Sequence, residues 1–592
     1  MKPGLFPGDI FNLADVALEV SRRDPDRIAV IAPDGRDGAG ARRYVRHTYR
    51  DLSSHAESVA VGLREVGVAE RTLTVFMAPA SYDSCVMALA LTRVGAATVW
   101  IDPSVGLLNV AERLNRLRIE AFVGLPLAHL GRLAFGWGPR LRTKTIAIGG
   151  AFGFPGAHSI ASLRRQAPVD PEGPAVEPED AASIFYTTGS TGPAKPTLYT
   201  HRTLCNVFRL AHAAWRFDRR PGAPIDLPVF PAFFPIVLSA GGTVVVPPID
   251  YARQTPARVD ARALLEVIRD CQVQTLFASP VVLENLARVG REEGVRSPSL
   301  HTVVGGGAPL YAHALGPLRR MIAADGEVFA DYGATEALPA TEMPALDALT
   351  ETLKETARGA GLCVGRPFPG VRIKIVDIVD GPIGTLADAR ELGPGQIGEI
   401  IVRAPHISTV YADDAASTRQ NKIADQDGGV WHRLGDAGYL DGAGRVWCCG
   451  RVGQRLELPA GRMFPLMCEP IFDAHPSVRR SGLVGVPAAD GARGVVPLIC
   501  VELHDEVGRD ADRAELRAEL LHLAAQQLTT RPIREVLFCR RLPVDPRHNS
   551  KIERVELARW AARQLPRERA RLACPRGTRG ENHPSELRRR WL

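Results

Sequence analysis

The run Tyr186-Thr187-Thr188-Gly189-Ser190-Thr191-Gly192-Pro193-Ala194-Lys195 is the most specific chemical signal in the chain. Its two glycines and small hydroxyl residues leave backbone N–H groups open to an anion, because nothing bulky blocks approach. Lys195 adds a positive charge at the end of the run. The spacing differs from the GxxxxGK[ST] of a Walker A loop. A lone GSTG would be weak evidence, since glycine- and serine-rich loops are common. Here the full run follows the strand-like Ser183-Ile184-Phe185, as an anion loop held at a strand end requires.

Alternating patterns on both sides supply elements to hold that loop. Apolar positions at helical spacing with a closing glycine predict a helix over 54–68, and a second helix is predicted over 84–96. Strands are predicted at 73–79, 97–102, 121–126 and 145–150. The alternation resumes with strands at 243–248, 275–280, 302–307 and 327–333 and a helix at 260–271. Such alternation predicts an α/β fold with a parallel sheet. After about residue 360 the texture changes, and 371–379, 398–404 and 438–451 read as antiparallel hairpins. A shorter unit follows, with a helix near 467–475, strands at 481–487 and 495–503, an amphipathic helix at 513–527 and a strand–loop near 535–551. The predicted division is a large domain over 1–452, a small domain over 453–574 and a basic tail over 575–592, with the boundary at Arg451–Gln454. The stretches 490–494 and 575–586 are the predicted flexible segments.

Further motifs follow the loop in order: Gly305-Gly306-Gly307-Ala308-Pro309, Asp331-Tyr332-Gly333-Ala334-Thr335-Glu336, Gly435-Asp436 with Gly450-Arg451, and Asn549-Ser550-Lys551. Together they resemble the adenylate-forming superfamily of acyl-CoA synthetases, luciferases and peptide-synthetase adenylation domains, from about residue 10 to 565. The resemblance implies a multi-sheet N-terminal domain, a small mobile α+β C-terminal domain, and use of ATP and Mg²⁺. It assigns the triphosphate to Thr187, Thr188, Gly189, Ser190, Thr191, Gly192 and Lys195. Gly305, Gly306, Gly307 and Ala308 would lie beside adenine and the acyl pocket, and Asp331, Tyr332, Gly333 and Thr335 would complete the nucleotide site. Tyr332 offers adenine a flat face, and Asp436 with Arg451 would take the ribose. Glu336 can hold a hard cation through oxygen. Lys551, the catalytic residue alongside Lys195 and Glu336, would place positive charge where negative charge builds during acyl transfer.

Departures from the ligase pattern narrow the resemblance. Pro196 follows Lys195 where glycine is common, Glu457 stands where an IKxxG lysine is usual, and Gly453 occupies the hinge position. The stretch Leu227-Pro228-Val229-Phe230-Pro231-Ala232-Phe233-Phe234 lacks a histidine often found near the acyl pocket. These features, with Glu120–Leu130, Tyr332–Pro339, His475–Ser481 and Val544–Ile552, resemble the olefin β-lactone synthetases. That branch implies conversion of a long-chain 2-alkyl-3-hydroxy acid and ATP to a β-lactone, AMP and pyrophosphate. It also implies a partner β-lactone decarboxylase in a multi-enzyme assembly. The substrate's own hydroxyl would then be the nucleophile, and no CoA would be needed. Phe230, Phe233, Phe234 and Val237 are candidates for an apolar acyl wall, or plain core. His201 and His548 are the candidate bases. An acyl-CoA or acyl-AMP ligase and a silent nucleotide-binding scaffold are the competing readings.

Composition sets the outer limits. The 592 residues, 45% hydrophobic and 23% charged, are enough for more than one core. The net charge of +7 is mild, and the arginines after 566 carry no aromatic interleaving, so no nucleic-acid partner is expected. The ten cysteines form no CxxC pair and read as free thiols in a reducing cytosol. No signal peptide or transmembrane helix is expected, and the expected localisation is cytoplasmic.

Overall fold

The computed structural model describes residues 11–101, 106–137, 144–149, 154–165, 176–187, 194–219, 222–251, 254–487, 494–505, 512–544 and 551–573. The phosphate-loop residues Thr188, Gly189, Ser190, Thr191 and Gly192 lie outside them, as do His548-Asn549-Ser550, most of 490–494 and the tail 575–592. The chain forms two compact units. One comprises Met1–Arg455, Phe464–Met467 and Val544–Lys551, the other Leu456–Met463, Cys468–Pro543 and Ile552–Leu592.

The first unit is built on two sheets. The smaller has eight strands among the described residues, with β1 (Ala181–Tyr186) parallel to Ala97–Trp100 and antiparallel to β2 (Pro196–Thr200). Beyond Ala97–Trp100, the strands Leu73–Met77, Ala121–Gly124 and Thr145–Ala147 continue in parallel. These strands are almost wholly buried, which explains why they read as continuous apolar runs rather than alternating ones. Helix α1 (His201–Ala214) leaves β2 through a capping box formed by Thr200 and Thr203.

The larger sheet has fourteen strands among the described residues. Its parallel half runs from β3 (Ile225–Pro228) through β4 (Thr275–Ala278) and β5 (Thr302–Gly306) to β6 (Glu327–Ala334). There the direction reverses. β7 (Ala337–Pro344) returns antiparallel, and β8 (Gly398–Arg403), β9 (Lys422–Ala424), β10 (Val430–Leu440) and β11 (Val446–Arg451) extend the antiparallel half. A hairpin of Ile28–Arg36 and Arg42–Thr48 closes the far edge. The sequence reading missed it because its second strand is arginine-rich, and charge is how an edge strand avoids further pairing.

In the second unit, strands Val478–Pro487, Val495–Leu503 and Val536–Cys539 form one sheet. Helix Arg513–Gln526 lies in this unit, with Leu516 and Leu520 packed against Ile499 and Val501. Helix Arg554–Ala573 follows, where the sequence reading ended in a strand–loop. Its internal Pro566 and dense charge hide its helical period.

A buried histidine on α1 makes this core acid-sensitive. His212 donates from Nε2 to the Ile236 carbonyl at 2.8 Å, while its buried Nδ1 has no partner among the described residues. Burial pushes its pKa down to about 4. The unfolded chain, with histidine near 6.5, therefore binds more protons between these values, and stability falls as pH drops from about 6.5 to about 4. At 1.36 kcal/mol per unit the loss reaches about 3 kcal/mol. Urea midpoints of the native chain and His212→Gln should accordingly converge on acidification. Parallel curves would show that His212 is not the group responsible.

Candidate active site

Two bonds join Thr187 to Lys195 where β1 ends and β2 begins. Thr187 N–H donates to the Lys195 carbonyl at 3.1 Å, and Lys195 N–H donates to Thr187 Oγ1 at 3.0 Å. The Lys195 ammonium donates to Asn421 Oδ1 at 3.2 Å and stands 5.4 Å from the Tyr411 ring centre.

Thr335 and Glu336 form the two-residue turn of the β6–β7 hairpin, with Ala334 opposite Ala337. Gly333 is required there, because a Cβ would sit 2.3 Å from the Ala337 carbonyl oxygen. Tyr199 fixes the turn by donating to the Thr335 carbonyl at 2.7 Å. Glu336 is 6% exposed. Its Oε1 accepts from the Tyr411 hydroxyl at 2.5 Å, while Oε2 lies 3.8 Å from His432 Nε2. His432 Nδ1 is 3.2 Å from the Asn421 carbonyl. A carbonyl only accepts, so the neutral ring carries its proton on Nδ1 and turns a bare Nε2 toward Glu336. Burial, and then Lys422, hold His432 well below its ordinary pKa.

Lys422 is the cross-strand partner of His432. It is almost fully buried, donates to the Ser408 carbonyl and lies 5.2 Å from the same Tyr411 ring. Burial lowers its pKa to about 7 against the attraction of Glu336, and burial lowers Lys195 as well. Tyr411, Asn421, Lys422 and His432 were not among the residues singled out from sequence. The available signal was a lysine and a histidine at buried positions of two strands.

A second group joins three residues from distant motifs. The Tyr332 hydroxyl donates to Asp436 Oδ2 at 2.8 Å. Arg451 donates from Nη1 to Asp436 Oδ1 at 3.0 Å and to the Leu434 carbonyl at 2.9 Å. Asp436 and Arg451 are register partners on β10 and β11. Burial, and then Asp436, raise the Tyr332 pKa well above the ordinary phenol value, so Tyr332 stays a donor.

Gly305 and Gly306 end β5, Gly307 and Ala308 follow, and Gly306 is the register partner of Asp331. A Cβ on Gly306 would meet the Phe277 ring at 3.2 Å. Phe277 packs in turn on Phe233 at 4.6 Å and Trp215 at 5.3 Å between ring centres. Phe230 and Phe233 are half-buried, whereas Phe234 and Val237 are core. Small apolar cavities of about 40 Å³ and about 10 Å³ lie along this segment, with Pro235 in both walls. Asp331 and Tyr332 are consecutive strand residues and so face opposite ways. Tyr332 turns to Asp436, and Asp331 to Glu342 and Arg216.

His201 sits at the opposite end of β2 from Lys195, with Nδ1 3.1 Å from the Phe11 carbonyl. A full strand separates it from Lys195, and it lines the larger of the two cavities together with Ala232 and Pro235. Lys551 is half-buried just before helix Arg554–Ala573.

The family model described as AMP-binding enzyme matches residues 18–412. The chain is 35% identical over 561 residues to an olefin beta-lactone synthetase of Stenotrophomonas maltophilia (strain K279a), covering 94% of this chain and 98% of that protein. It is also 35% identical over 560 residues to an olefin beta-lactone synthetase of Xanthomonas campestris pv. campestris, covering 93% and 98%. An amide bond synthetase from Marinactinospora thermotolerans has a similar fold, with TM-score 0.72, 23% identity, and coverage of 93% and 99%. Among the described residues no helix is long and apolar enough to cross a membrane. The chain is thus an ATP-dependent adenylate-forming enzyme, and it belongs to the AMP-binding family in its olefin beta-lactone synthetase branch.

Proposed function

We propose that the enzyme converts a long-chain 2-alkyl-3-hydroxy acid and ATP to a β-lactone, AMP and pyrophosphate through an acyl-adenylate, with Mg²⁺. The observation that carries this reading is the likeness along nearly the whole chain to the olefin beta-lactone synthetases. The arrangement of side chains is consistent with it. Lys195 and Lys422 stand beside Tyr411 with Glu336 and Asp414, so a triphosphate would meet two lysines there. Glu336 Oε2 faces the bare Nε2 of His432 rather than a donor, so it keeps lone pairs that suit a hard cation. Mg²⁺ bound there would offset phosphate charge. Asp436 would take the ribose hydroxyls, and the half-buried Phe230 and Phe233 an alkyl arm. Glu457, which stands in the place of a ligase lysine, pairs with Arg462 at 3.1 Å across a short hairpin. It therefore brings a negative charge where the ligase pattern brings a positive one. The physiological partner in this reading is an enzyme that decarboxylates the β-lactone.

The test is product analysis by NMR with ATP, Mg²⁺ and a 2-alkyl-3-hydroxy acid, with and without CoA. Lactone, AMP and pyrophosphate should form without CoA. The matching acid lacking the hydroxyl should stop at the acyl-adenylate. If no lactone forms while CoA yields a thioester from either acid, the enzyme is a ligase and the reading fails.

A further inference from the structure

The conversion of a 3-hydroxy acid to a lactone needs a base for the hydroxyl, and one buried carboxylate has the surroundings for it. Asp331 is 8% exposed, yet its Oδ1 has no hydrogen-bond partner among the described residues. Its register partner across the β6–β7 hairpin is Glu342, whose Oε1 is likewise buried and unpartnered. One cation serves this pair. Arg216 donates from Nη2 to Glu342 Oε2 at 2.5 Å while its guanidinium lies 4.5 Å from the Phe329 ring centre. Two carboxylates and a single guanidinium leave one negative charge in excess. Since Arg216 bonds Glu342, Asp331 is the group left without a donor.

On the side of Gly306 the face on which Asp331 stands turns aromatic. Gly306 beside it abuts Phe277, which leads to Phe233, Phe230 and Trp215. A carboxylate oxygen buried without a donor beside an aromatic wall is costly unless something donates to it. An alkyl chain that carries a hydroxyl matches both features, because the chain covers the rings and the hydroxyl supplies the donor. Tyr332, the next residue, turns the other way to Asp436. The strand end thus separates a nucleotide side from an acyl side by one residue.

We propose that Asp331 anchors the substrate's 3-hydroxyl and acts as the general base of ring closure. This deepens the β-lactone reading and rests on it. The 3-oxygen attacks the adenylated carbonyl carbon, a C–O bond forms, and the bond from that carbon to the AMP phosphate oxygen breaks. The hydroxyl proton passes to the Asp331 carboxylate and leaves to solvent after release, so the products are β-lactone, AMP and one proton. Burial and Glu342 raise the Asp331 pKa, against Arg216, and a base is most effective when its pKa approaches the working pH. The charged groups around the pair are Glu342 and Arg216, with Glu327 and Arg219 behind them.

The test is a single-turnover measurement with a 2-alkyl-3-hydroxy acid, following acyl-adenylate and lactone separately, with the 3-deoxy acid reporting adenylation alone. In Asp331→Asn, ring closure from the formed adenylate should fall by about 10²–10⁴-fold more than adenylation does, so acyl-AMP accumulates. Equal losses in both steps, or closure at the native rate, would overturn the assignment. Should Asp331→Asn fail to fold, Glu342→Gln serves instead. Removing the like charge should move the pH midpoint of ring closure downward, and an unmoved midpoint counts against Asp331. If the native enzyme adenylates the hydroxy acid but forms no lactone, the β-lactone reading itself falls.

Discussion

Lys551→Ala should slow pyrophosphate release from ATP and acid by about 10²–10³-fold, a loss of about 3–4 kcal/mol of transition-state stabilisation. The magnitude is that of losing one preorganised positive charge at the place where negative charge builds. Lys195 bonds Asn421, Lys422 bonds the Ser408 carbonyl, and Arg451 bonds Asp436 and the Leu434 carbonyl. Lys551→Ala leaves these three cations in place, so the loss reads Lys551 alone. Lys551 lies outside the helices and strands and is half-buried, so its loss should leave the cores intact. Stopped-flow detection of pyrophosphate, with a denaturation curve as the folding control, checks both parts. Near-native release would remove Lys551 from the catalytic role. A lost denaturation transition would assign it to the fold instead.

The parts of the site that were legible in the sequence are those whose chemistry is written in short contiguous runs. An anion loop needs glycines and hydroxyls in succession, so 186–195 could be proposed from the sequence as a run, and 331–336 likewise. Tyr411, Lys422 and His432 could not be read that way. They reach Glu336 or its neighbours only because β9 pairs with β10 and Val410–Tyr411 pairs with β2. The environment of Asp331 is hidden for the same reason. Glu342 is eleven residues away in sequence and directly opposite it in space, and no period or motif encodes that register. The alternation of strands and helices was legible because buried parallel strands are uniformly apolar. The charged edge hairpin Ile28–Thr48 and the proline-containing helix Arg554–Ala573 lack that contrast.

Glu399→Ala should cost about 3–5 kcal/mol of folding stability, because it leaves a guanidinium buried without its counter-charge. Glu399 and Arg433 have side chains only 3% and 5% exposed. Arg433 donates to Glu399 Oε2 from Nε at 3.0 Å and from Nη2 at 2.6 Å. It also donates to the carbonyls of Gly381, Val379 and Gln420. Burial nevertheless raises the Glu399 pKa in spite of Arg433, so desolvation is the larger effect on this carboxyl. The pair should therefore be costly to break and of modest net worth when whole. Removing both charges with Glu399→Leu and Arg433→Met should recover only part of the loss. The three carbonyls would lose a charged donor, but Val379 is exposed and Gly381 and Gln420 are half-buried, so water replaces part of what is lost. The consequence for function comes through β10, where Asp436 follows Arg433 by three residues. A loosened β8–β10 pairing would displace the carboxylate that holds Tyr332 and Arg451 together, and the KM for ATP should rise in the single variant. Urea denaturation of the native, single and double variants gives the stabilities. A single variant within about 1 kcal/mol of native would show that water reaches Arg433 and that the pair is not a buried one.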